Sequence, residues 1–104
     1  MITLEDFKKI SEACGFEFVK IWNDFYCVLQ RKRDFYVAKY DKCQIRVSSE
    51  WNTDDYDIWP NTPKVFDTTK LQNCKLKRLL NSRMKAHKKL KMNLKLKNIE
   101  KDFQ

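Results

Sequence analysis

An N-terminal helix, a four-stranded antiparallel meander and a long basic C-terminal helix make up the α+β fold that the 104-residue sequence predicts, in the order αββββα. Three observations predict it. The first fifteen residues carry helix punctuation at both ends of an amphipathic segment. Four runs rich in aromatic and β-branched residues follow at short intervals, each broken by polar turn chemistry. From Thr68 to Phe103 there is neither proline nor glycine, and helix formers dominate.

In the first segment Thr3 is placed as N-cap, with Asp6 at the capping-box position three residues on. Ile2 and Phe7 are spaced as a hydrophobic staple, and Gly15 falls where a left-handed residue ends a helix. Phe7, Ile10 and Cys14 share one face. The runs FEFVKIW, FYCVLQRK, FYVAKY and CQIRVSS are then separated by Asn23-Asp24, Arg33-Asp34 and Asp41-Lys42. Cys43, Ile45 and Val47 alternate with Gln44, Arg46 and Ser48, which predicts a last strand solvated on one side. Residues 50–67 hold both prolines and the aromatics Trp51, Tyr56 and Trp59, with four acids in the first eight positions. They are expected to form a long connection packed through those aromatics. Asp67 or Thr68 is the expected N-cap of the last helix.

That helix contains KKLKMNLKLK, residues 88–97, whose strict alternation is also the pattern of a half-buried strand. Its residue types, without β-branched or aromatic members, favour the helix. Projected at about 100° per residue, Leu76, Leu79, Leu80, Met84, His87, Leu90 and Leu94 form a core-facing stripe. Arg78, Lys85 and Lys89 lie behind it, flanked by Lys75, Lys77 and Lys88. Towards the C-terminus the pattern inverts, and Met92, Leu96, Ile99 and Phe103 fall on the side that had been basic. One helix cannot bury both stripes against one small sheet. It must break near Asn93, give its second stripe to another subunit, or present it to a partner.

Composition narrows the function classes. One domain, residues 1–104, is all the length allows. The longest apolar stretches are too short to span a membrane and no signal segment is expected, so a soluble, cytoplasmic protein is anticipated. Cys14, Cys27, Cys43 and Cys74 are far apart with no CxxC pair, and His87 is the only histidine. Reduced, mostly buried thiols are expected, with neither a metal site nor a disulfide framework. A single glycine excludes phosphate-cradling loops of the Walker or dinucleotide type. Lysine outnumbers arginine 17 to 5, as an AT-rich coding sequence would produce.

Charge is divided unevenly. Residues up to Asp67 carry ten Lys and Arg against twelve Asp and Glu, while the remainder carry twelve against two. The positive charge therefore resides in the last helix, +10 from Thr68 onward against −2 before it, for a total of +8. Arg78, Lys85, Lys88, Lys89, Lys91 and Lys95 are the expected nucleic-acid-binding residues, reading backbone and shape because lysine lacks the bidentate geometry that reads guanine. The order of helix, sheet and basic helix resembles the double-stranded RNA-binding domain in topology. One extra strand, and the absence of that family's lysine cluster at the start of its last helix, mean that no residue roles are taken from it.

Met92, Leu96, Ile99 and Phe103 are expected to bind a protein partner or a second copy. Asp54, Asp55 and Asp57 are expected either to neutralise the basic helix or to mimic phosphates toward a basic partner. They do not match a calcium loop, which needs a glycine and a terminal glutamate. His87, without a nucleophile or carboxylate beside it, is read as structural. The expected function is therefore non-enzymatic binding of nucleic acid or a nucleoprotein, without cofactor or catalytic residues. The profile resembles that of small phage and mobile-element accessory proteins, such as inhibitors of host nucleases or CRISPR effectors. A homo-oligomeric interaction protein is the alternative, and a small metal-dependent nuclease built on acids such as Asp55 comes third.

Overall fold

Thr3 opens the first helix, α1 (Leu4–Ala13), with the reciprocal bonds its spacing predicts. Its hydroxyl accepts from the Asp6 amide at 3.1 Å, and the Asp6 carboxylate accepts from the Thr3 amide at 3.1 Å. Those bonds hold the Asp6 carboxyl below the usual carboxylate range. Ile2 and Phe7 are both fully buried beside this cap, completing the staple. At the other end Gly15 has a φ of +90°. Its amide donates to Glu12 O and the Phe16 amide to Ser11 O, the two bonds of a Schellman motif.

In this computed structural model, residues 2–30, 32–61 and 63–102 are described, except for the side chains of Asp34, Glu100, Lys101 and Asp102. After α1 come β1 (Glu17–Ile21), β2 (Asp24–Leu29), β3 (Lys32–Tyr40) and β4 (Gln44–Ser48), paired antiparallel in sequence order. The predicted meander is there, but the strand count of four is too low, and the break expected at Arg33-Asp34 comes before Lys32, with both residues inside β3. Residues 50–67 are not a plain connection. They form a hairpin of β5 (Trp51–Thr53) and β6 (Ile58–Pro60), then β7 (Pro63–Asp67), which adds a fifth strand beside β4. Three-residue strands leave too little alternation to register in the sequence. Proline suits the start of an edge strand, where no ladder hydrogen bond is lost. The fifth strand also takes the sheet further from the double-stranded RNA-binding domain.

One sheet face is dry. Phe25, Tyr40, Ile45 and Phe66 lie in register across four strands, and Phe18, Cys27, Ala38 and Val47 form the neighbouring row. A register shift between Cys27 and Val28 lets Val37 and Ala38 both be fully buried. Phe7, Leu76 and Leu80 of the two helices, also fully buried, join the same core. The opposite face carries Val19, Tyr26, Lys39, Arg46 and Val65 in one row, and Tyr26 and Tyr36 approach to 5.3 Å between ring centres. None of the residues of that row belongs to the core cluster that the two helices join.

The last helix, α2 (Asn73–Asp102), runs unbroken for 30 residues. The strand alternative at KKLKMNLKLK and a break near Asn93 are both excluded by that continuity. Asp67 caps the turn before the helix rather than the helix itself: its side chain accepts from the Thr69 amide at 2.9 Å, and its carbonyl accepts from the Leu71 amide at 2.9 Å. The first helical bond runs from the Leu76 amide to Gln72 O, so the predicted N-cap is corrected to Gln72. At 1.5 Å per residue the helix spans about 45 Å, most of the 53 Å long axis of the molecule. The predicted stripe is its inner face, with Leu79, Met84, Leu90 and Leu94 packed against the core. No helix among the described residues is long and apolar enough to cross a membrane.

The thiols divide evenly. Cys14 and Cys27 are buried, and burial pushes the Cys27 thiol up to about 12, which makes it unreactive. Cys43 and Cys74 are exposed, so the expectation of mostly buried cysteines holds for two of the four.

Candidate functional site

The β5–β6 hairpin is strapped across α2. Trp51 donates from Nε1 to Arg83 O at 2.7 Å, and Arg83 donates in turn to the Ser49 carbonyl. The Trp51 ring sits 4.8 Å from the His87 ring. At the hairpin tip, Asp54 Oδ1 accepts from the amides of Tyr56 and Asp57, at 2.8 and 2.7 Å, closing the loop as an Asx turn. Asp55 pairs with Lys97 of α2 at 2.7 Å, which raises the lysine pKa. Asp57 pairs with Lys32 of β3, and this bond holds its carboxyl below the usual range. Each carboxylate of the acidic cluster thus has work within the chain, and Asp55 does neutralise part of the basic helix.

This strapping leaves a groove of about 500 Å³, open along one side, between α2, the hairpin tip and the β2–β3 turn. Leu29, Ile58, Met84 and Leu94 give it apolar walls. Gln30, Lys32 and Tyr56 line one side, and His87, Lys88 and Lys91 line the other. Lys32 is fixed there by a second bond, from its Nζ to Ile58 O at 2.9 Å. Gly15 closes the far end, where a Cβ would stand 3.3 Å from Met84 Cε. Burial lowers the His87 pKa, and the nearby cations Lys91 and Lys32 lower it further. The imidazole is therefore neutral at pH 7 and can both donate and accept a hydrogen bond.

The six predicted nucleic-acid-binding cations are all exposed. Lys88 and Lys91 form the groove rim, with Lys95 one turn beyond. Arg78, Lys85 and Lys89 point away from the core, so that together the six sweep roughly 160° of the helix surface at 100° per residue. None of the ion pairs among the described residues engages any of them. Among the predicted partner-binding residues, Met92, Leu96 and Ile99 are 65, 55 and 44% exposed on the outward side of the same helix. Phe103 lies outside the described residues.

Gln30, Lys32 and Tyr56 were not among the sequence-based candidates. Gln30 and Lys32 flank the β2–β3 turn and Tyr56 sits at the hairpin tip, and no spacing rule links either segment to α2. Among the described residues no group of three or more His, Cys, Asp or Glu side chains is arranged to hold a metal ion. The chain matches no protein-family model, and neither the curated proteins nor the solved structures contain a significant match to it.

Proposed function

We propose that the protein binds nucleic acid, alone or within a nucleoprotein, through the sugar–phosphate backbone along α2. One observation carries this reading: six exposed cations on one continuous helix, from Arg78 to Lys95, none of them engaged in the ion pairs of the described residues. The stretch rises about 26 Å, enough to follow several successive phosphates. Five of the six are lysines, which supply charge without bidentate base reading, so affinity should depend little on sequence. Phosphate mimicry by Asp54, Asp55 and Asp57 forms no part of the proposal, because each of these exposed carboxylates already bonds to a group of its own chain. The proposed role is that of a non-enzymatic accessory protein, of the kind phages and mobile elements carry.

The test is binding to a 20-base-pair duplex and a 20-nucleotide single strand between 50 and 200 mM salt. Full engagement of six phosphates gives a slope of log K against log salt of about −5 on duplex and about −4 on single strand. Reversing Lys85, Lys88 and Lys89 to Glu weakens binding to both and flattens the slope. No binding to either at 50 mM salt overturns the proposal.

A second reading has its own observation. Met92, Leu96 and Ile99 are spaced by four and three residues, the interval of a coiled-coil seam, and all three are exposed. On that reading α2 pairs with α2 of a second copy and the lysines keep the assembly soluble.

A further inference from the structure

The groove beside α2 has features that phosphate binding alone does not require. We infer that it receives one unpaired nucleobase, so that the nucleic acid bound is single-stranded at that point. The inference rests on the nucleic-acid reading above and specifies its substrate.

A phosphate-binding surface needs cations and exposure, and the outward side of α2 supplies both. The groove adds a pocket of about 500 Å³ with apolar walls from Ile58, Met84 and Leu94. That volume lies within the range of small-molecule sites, whereas a duplex, with its bases stacked inward, has nothing to place there. Polar groups along the walls suit a heterocycle's edge. Gln30 offers an amide with both donors and an acceptor, and neutral His87 offers one of each. Lys32 is oriented by Asp57 and by Ile58 O, so its charge is partly balanced and its position fixed. The Tyr56 ring, 80% exposed beside the pocket, presents a stacking surface.

Charge complementarity selects the rest of the ligand. Lys88 and Lys91 stand at the rim on the side continuous with Lys95. A base in the groove would therefore have its own phosphate at Lys88 and Lys91 and the next phosphate along the Lys95 turn. An aromatic heterocycle joined to a chain of phosphates is the chemistry that satisfies apolar wall, amide edge and cationic rim together. Stacking on aromatic side chains is the usual means by which single strands are held without sequence preference.

The experiment compares the whole protein's affinity for dT12 with its affinity for a 12-mer of abasic units carrying the same phosphates. The inference expects dT12 to bind about tenfold more tightly, the contribution of one stacked base. Tyr56→Ala and Gln30→Ala, both at exposed positions where folding is not at stake, should each close part of that gap. Equal binding of the two strands overturns the groove inference and leaves backbone binding standing. A gap that persists in both variants overturns it too, by placing the base elsewhere, such as on Tyr26 and Tyr36 of the open sheet face. Failure of both strands to bind removes the nucleic-acid reading along with it.

Discussion

Trp22 stands at the first loop position of the two-residue turn closed by Ile21 and Asp24, with a φ of 59° and 91% of its surface exposed. Two-residue hairpin loops want glycine or asparagine in the left-handed region, and a bulky side chain there is strained. Trp22→Gly should therefore stabilise the fold by about 1 kcal/mol, seen as a higher urea midpoint. The turn itself was legible from Asn23-Asp24, but nothing in the spacing shows that tryptophan takes the glycine position. Thr3 and Gly15 were legible because a cap is decided within four residues. His87 was legible as a stripe residue, while the lowering of its pKa comes first from burial, then from Lys91 of the same helix, and last from Lys32 of a distant strand. Its folded pKa lies below the ordinary value of about 6.5. Between those two values the unfolded chain holds a proton that the folded chain does not, so stability rises with pH through that window. His87's contribution is full above pH 6.5 and is lost as pH falls toward the folded value. Urea unfolding at pH 5.5 and 7.5 should show the difference, and His87→Gln should remove this component of it.

At the scale of the element, α2 shows how one sequence can carry two addresses. Leu80 is fully buried and Leu96 is 55% exposed, though both are leucines of the same helix. Leu80→Ala should cost about 2–5 kcal/mol by leaving a cavity. Leu96→Asp should change the stability of an isolated subunit by less than about 0.5 kcal/mol. If α2 pairs with a second copy, Leu96→Asp converts a dimer into a monomer in sedimentation velocity; a wild-type monomer at high concentration disposes of that reading. The inner stripe is readable from the residues alone because a helix repeats its signal over many turns. The hairpin β5–β6 is not, because six strand residues around a loop offer no period to detect. The helix start was misplaced for a related reason. Asp67 and Thr69 satisfy each other in a turn, so the strongest local cap is used one turn too early.

For the whole molecule, the separation of charge is legible in the residues themselves, since a net +10 from Thr68 onward needs only counting. What counting could not show is the strap. The acidic hairpin tip is tied to α2 through Lys97 and to β3 through Lys32, and between those ties the groove opens. Its walls come from the α1–β1 turn, the β2–β3 turn, the hairpin and the last helix, a convergence that only the folded topology produces. The same strap has an optical consequence. Buried Trp51 lies against His87, whose imidazole lines the groove, and indole emission is quenched by a protonated imidazole in contact with it. With Trp22 and Trp59 replaced by phenylalanine, the remaining indole becomes a built-in reporter. Its brightness follows the protonation of His87, and should change when a guest in the groove bonds to that imidazole.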